Sequence, residues 1–155
     1  MSQLPIGAGA PDFELKSTGG QSHRLNAALS RGPVVLAFYK ASCSTSQFTF
    51  PYLQKIFAGK GSSLGAEIWG VSQDDAEETR RFAGEFGIGF DLLIDEHPYL
   101  VSSAYGLEFV PALFIVEQDG RISLSDFGFT KAILNRIAGF EMLTPGDGVP
   151  SSRPG

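Results

Sequence analysis

The sequence predicts an α/β domain with a mixed sheet, parallel in the middle and closed by an antiparallel hairpin. Three observations carry this. "GPVVLAFYK" is a continuous apolar run, as expected of a strand covered on both faces. Short apolar strands then alternate with segments of helical period. Finally, "PALFIVEQDGRISLSDFG" sets two strand-like runs around Asp119-Gly120, a strong hairpin signal.

The elements follow in order. "PDFELKSTGGQSHRLN" reads as an N-terminal hairpin turning at Gly19-Gly20, and "AALS" as one helical turn. After the first central strand, Phe48, Tyr52, Leu53, Ile56 and Phe57 recur at helical spacing between Ser44 and Ala58, with Pro51 inside that pattern as an expected kink. "AEIWGVS" is a second strand. "DDAEETRRFAGEFG" is a helix with acidic residues in its first turn and Gly87 past its end. "FDLLIDE" and "PYLVSSAYGL" form a short strand and a short helix, and "TKAILNRIAGFEML" a last amphipathic helix. Residues 1–143 make one domain. Residues 144–155, "TPGDGVPSSRPG", are rich in Pro, Gly and Ser and are expected to be a flexible tail.

The chain's 155 residues suffice for one full core. With 12 basic and 17 acidic residues the net charge is −5, which argues against nucleic acid or an anionic membrane as partner. No apolar run approaches the roughly 20 residues of a membrane span, and "MSQLPIGAGAPDFEL" has no secretory pattern. One cysteine allows no disulfide within the chain, so a reducing, cytoplasmic location is expected, as is a monomer or weak dimer. His23 and His97 lack metal-ligand spacing, and no cofactor is expected. "DDAEE" at 74–78 reads as a solvated helix start, Trp69 as core, and "GIG" at 87–89 is too little for a phosphate loop.

The chemistry concentrates in "KASCSTSQFTFP". Cys43 lies just beyond a central strand and just before a helix, at the end of the sheet where open α/β folds form their sites. Unpaired N–H groups and the positive end of the helix dipole should there favour a thiolate, the form that reacts. Lys40 adds positive charge if its ammonium turns toward the sulfur. In a C-x-x-C pair the second sulfur resolves a mixed disulfide formed on the first. Ser46 occupies that fourth position; its hydroxyl can donate a hydrogen bond to a thiolate but cannot form an S–S bond. The competing reading of Cys43 is a buried, inert thiol.

These segments resemble the redoxins, the AhpC/TSA and TlpA-like superfamily of thioredoxin-like proteins. "APDFEL" is similar to their N-terminal signature, "VVLAFYKASCSTS" to their strand-to-site segment, Pro51 to the helix proline of thioredoxins, and "YGLEFVPALFIVEQDGRI" to the segment carrying their cis-proline. The resemblance implies a thioredoxin-like fold with an extra βα insertion and a cis Val110-Pro111 peptide beside Cys43. It also implies a Val110 backbone that pairs with an extended substrate, with Phe38, Tyr39 and Phe48 supplying apolar contact. The implied activity is thiol–disulfide exchange with protein or small-molecule disulfides, Cys43 being the nucleophile and an external thiol the reductant. Peroxiredoxins of this superfamily carry Thr or Ser three residues before their reactive cysteine, where Lys40 stands, and an Arg near the thiolate. A one-Cys thiol peroxidase is the alternative, which a short distance from Cys43 to an Arg such as Arg121 would favour. A redox-silent binding protein is the other. Ser46 itself admits three origins: a natural monothiol site, a replacement made to trap complexes, or loss of redox function.

Overall fold

A computed structural model describes residues 2–59 and 66–155. The hairpin is β1 (Glu14–Lys16) and β2 (Ser22–Arg24), followed by α1 (Leu25–Leu29). Then come β3 (Val34–Tyr39), α2 (Ser44–Ala58), β4 (Glu67–Ser72), α3 (Ala76–Phe86), β5 (Asp91–Ile94) and α4 (Leu100–Ala104). The chain continues with β6 (Ala112–Val116), β7 (Ile122–Phe127), β8 (Phe129–Thr130), α5 (Lys131–Ala138) and β9 (Ser152–Arg153). The five-stranded sheet has the order β5-β4-β3-β6-β7, with β3 parallel to β4 and antiparallel to β6. It is the expected mixed sheet flanked by helices, with β5 and α4 as the inserted βα unit.

Alternation along β3 explains why its sequence is apolar throughout. Val35, Ala37 and Tyr39 face one layer, with Phe50, Leu53 and Ile56 of α2, Phe82 of α3, and Leu134 and Ile137 of α5. Val34, Leu36 and Phe38 face the other, with Phe13, Leu25 of α1, Trp69, Tyr105 and Phe114. All six residues of β3 are fully buried. The strand order also follows from right-handed crossovers: β3-α2-β4 and β4-α3-β5 run outward on one face, and the return to β6 puts α4 on the other.

Local chemistry sets the helix ends. The Asp75 carboxylate accepts from Glu78 N at 2.8 Å and Thr130 Oγ1 from Ile133 N at 3.2 Å, so α3 and α5 begin at side-chain caps. Gly87, at φ 66°, and Gly139, at φ 82°, close them in the left-handed region. Gly139 thereby stops α5 short of the predicted span. Pro51 is accommodated inside a continuous α2.

Residues 144–155, expected as a flexible tail, lie against α5 and β8. Asn135 of α5 accepts from Leu143 N and donates to Leu143 O, at 2.7 and 2.9 Å. Lys131 Nζ donates to Thr144 O and pairs with Asp147 at 2.6 Å, while Asp147 also accepts from the N–H groups of Thr144 and Val149. These bonds, led by that from Lys131, hold the Asp147 carboxyl below its usual range. β9 then pairs antiparallel with β8, Phe129 opposite Arg153. Polar anchors on α5 add to the packing of Val149 against the core. Among the described residues no helix is long and apolar enough to cross a membrane.

Candidate active site around Cys43

Register builds the site. β6 runs antiparallel to β3 with Ala112 opposite Phe38, so the residues entering β6 lie beside those leaving β3. Val110 therefore meets Cys43: the thiol donates to Val110 O at 3.5 Å. The Val110-Pro111 peptide is cis, as the resemblance implies, and so is His97-Pro98, which the sequence reading did not single out. Cys43 is the N-cap residue of α2, with extended backbone (φ −80°, ψ 118°), and is partly exposed.

The loop that presents the sulfur is held from both sides. Ala41 N donates to Asp74 Oδ2 at 2.7 Å, and Gln47 Nε2 donates to Ala41 O at 2.8 Å. Asp74 belongs to the acidic run read as a solvated helix start. Its carboxylate instead ties the β4–α3 loop to the residues before Cys43, a long-range contact that no local spacing signals. Lys40 is exposed; its carbonyl accepts from Cys43 N at 3.1 Å, but its ammonium makes none of the ion pairs among the described residues.

Ser46 is fully buried, and its Oγ has no hydrogen-bond partner among the described residues. The expected donation from this hydroxyl to the sulfur is thus not made. Thr45, between the two positions, donates through Oγ1 to Pro154 O at 2.6 Å. Phe48 packs edge-on against Phe129 at 4.9 Å and carries the Arg153 guanidinium over its ring at 4.6 Å. Phe38 and Tyr39 are core residues; burial pushes the Tyr39 phenol well above its ordinary value.

Cys43, Val110, Pro111 and Phe48 thus share one end of the sheet, and two exposed aromatics that the sequence reading passed over join them. Phe109 and Phe127 stack with ring centres 5.0 Å apart, 50% and 44% exposed, beside Val110. Arg121 is elsewhere. It donates to Gly7 O from the β6–β7 turn, at the end of the sheet where β3 begins. A cavity of about 630 Å³ between the β1–β2 hairpin and the β5–α4 loop, lined by Phe13, Lys16, Asp95 and His97, includes none of the predicted site residues.

A central strand that delivers a thiol to a helix N-terminus, beside an antiparallel strand entered through a cis-proline, defines a thioredoxin-fold protein. Comparison with known proteins narrows this: the AhpC/TSA family model matches residues 6–125, and the chain belongs to that family. It is 29% identical over 120 residues to the thiol-disulfide oxidoreductase ResA of Geobacillus thermodenitrificans, covering 77% of this chain and 67% of that protein. It is 28% identical over 134 residues to the peroxiredoxin Bcp of Bacillus subtilis, covering 77% and 82%. Among solved structures, the thioredoxin domain of a thiol-disulfide oxidoreductase from Bacteroides vulgatus superposes with a TM-score of 0.71 at 25% identity, covering 80% of this chain and 89% of that one.

Proposed function

We propose that the protein is a thiol–disulfide oxidoreductase that works with Cys43 as its single nucleophilic thiol. The observation that carries this reading is the approach of Cys43 Sγ to Val110 O at the N-terminus of α2, which sets a partly exposed sulfur beside the main chain of the cis-proline segment. The Cys43 thiolate attacks one sulfur of the substrate disulfide. The substrate S–S bond breaks, its second sulfur leaves as a thiolate, and a mixed disulfide to Cys43 remains. With Ser46 in the resolving position, an external thiol, as thiolate, attacks the mixed disulfide and returns Cys43 to its reduced state. Val110 and Pro111 shape the groove, Phe48 contributes its apolar wall, and Lys40 stands at the rim.

A second reading has peroxide as oxidant, and the similarity to the Bacillus subtilis peroxiredoxin favours it. The thiolate would attack one peroxide oxygen, the O–O bond would break with release of water, and the sulfenic acid would be reduced by outside thiol. Disulfide exchange remains the first reading because Arg121 is remote from the sulfur and Lys40 stands where the peroxidases carry a hydroxyl.

The test is intact mass after exposure of the reduced protein to glutathione disulfide. One glutathionyl adduct that persists until free thiol is added, and that is lost in Cys43→Ser, is expected. Absence of any adduct until the protein is unfolded would refute the proposal. A sulfenate trapped at low peroxide faster than the adduct forms would select the second reading.

A further inference from the structure

The groove beside Cys43 already has an occupant. Pro154 O receives the Thr45 hydroxyl at 2.6 Å, two residues from the sulfur, and Arg153 lies on Phe48. A β-carbon built on Gly155 would stand 2.8 Å from Val110 O, the same carbonyl that accepts from Cys43 Sγ. A β-carbon on Gly128 would come within 2.6 Å of Arg153 O and 3.1 Å of Gly155 N, and Gly128 N is itself bonded to Pro111 O at 2.8 Å. The segment is thus received by a main chain kept bare for it and anchored upstream where Lys131 N donates to Ser151 O. Its contacts are those of an extended peptide laid on the site: main chain at Val110, one carbonyl capped by Thr45, one cation on Phe48.

We propose that residues 151–155 are a built-in occupant of the peptide groove beside Cys43, which peptide substrates displace, and that this groove takes an extended peptide with a basic side chain seated on Phe48. The proposal rests on the disulfide-exchange reading above. Cys43 itself remains partly exposed beneath the segment, so a small disulfide reaches the sulfur while a peptide needs the place held by residues 153–155. An occupant engaged about nine-tenths of the time lowers the apparent affinity of a competitor about tenfold.

The experiment compares the full chain with Arg153→Ala/Gly155→Val, which removes the cation and adds a side chain where Val110 O leaves no room. Ser103→Ala, on an exposed position of α4 outside the segment, is the control. Two probes are used: 5,5′-dithiobis(2-nitrobenzoate), and a six-residue peptide whose one cysteine is held as its mixed disulfide with 5-thio-2-nitrobenzoate, made with Arg or with Ala at one position. In each, Cys43 displaces the coloured thiolate. Second-order rate constants with the small probe should agree within about twofold, whereas those for the peptides should rise about tenfold in the double variant. The Arg peptide should outrun the Ala peptide there by about two- to fivefold, the worth of an exposed cation–π contact.

Peptide rates that match in both proteins, with the small probe reacting, would overturn the built-in occupant and leave disulfide exchange standing. No reaction with either probe would refute disulfide exchange instead. In that event, tighter binding of the Arg peptide by the double variant, read by fluorescence anisotropy, still decides for the occupant, and equal binding against it. Asp147→Asn, which cuts the Lys131 anchor outside the groove, gives the same comparison if the double variant fails to fold.

Discussion

Ser46 provides the sharpest test of the geometry around Cys43. Its hydroxyl is fully buried and unpartnered, which leaves a polar group desolvated at a cost of about 1–3 kcal/mol. Ser46→Ala removes that group. The void left by one oxygen returns a few tenths of a kcal/mol at about 24 cal/mol per Å³. Alanine in the first turn of α2 gains on the order of 0.4 kcal/mol over serine in helix propensity. The net expectation is a gain of about 1–3 kcal/mol, or roughly 2–12 °C in Tm for a chain of this size. Urea unfolding of the reduced protein measures it: the midpoint should rise at unchanged m-value. Ser44→Ala, on the exposed side of the same turn, carries the propensity gain alone and should shift stability by no more than about 0.5 kcal/mol. A loss of stability in Ser46→Ala, or a gain no larger than the control, would mean that the hydroxyl is hydrogen-bonded in solution, and the unsatisfied Ser46 described above would be wrong.

Ser46→Cys restores the missing sulfur in the helix turn after Cys43. Mild oxidation should then yield a disulfide between Cys43 and the introduced thiol, seen as loss of both free thiols in the monomer, and the glutathionyl adduct should no longer accumulate. Asp74→Ala strips the acceptor from Ala41 N and should cost about 1–2 kcal/mol. Amide exchange at Ala41 to Cys43 should accelerate more than in β3, and a uniform change would deny the local role. Burial pushes the phenols of Tyr39 and Tyr105 above the ordinary value near 10. Their contribution is complete below pH about 10 and falls as pH rises, because the unfolded chain then releases protons that the fold retains. Stability should drop by up to about 1.4 kcal/mol per pH unit for each tyrosine, and Tyr105→Phe should halve the slope while losing about 1 kcal/mol with the bond to Pro11 O. Urea midpoints at several pH values above 9 check both parts.

Most of the sheet was legible because its signals are local. β3 declares itself by six consecutive apolar residues, α2 by apolar spacing from Phe48 to Phe57, and the β6–β7 hairpin by Asp119-Gly120. The meeting of Cys43 with Val110 was legible only through resemblance, since the strand entering β6 is 67 residues away and its register cannot be counted from composition. Asp74 was misread for the same reason. Its own neighbourhood is that of a helix start, and its partner is 33 residues back in the chain.

Residues 144–155 make contacts that composition does not signal. Pro, Gly and Ser signal that a segment has little apolar surface to bury, and so no hydrophobic reason to order. The contacts here have another source. Lys131 and Asn135 face the segment from α5, Thr45 meets it from α2, and the bare backbone of Gly128 lets it approach. Each of these residues fits its own helix or turn without the segment, so none betrays it in sequence. Its last residues, 151–155, held by a few polar bonds and one cation–π contact, are also ones that a competing peptide can lift. Each such bond is worth only about 1 kcal/mol net in water, and a peptide offering the same groups replaces it in kind.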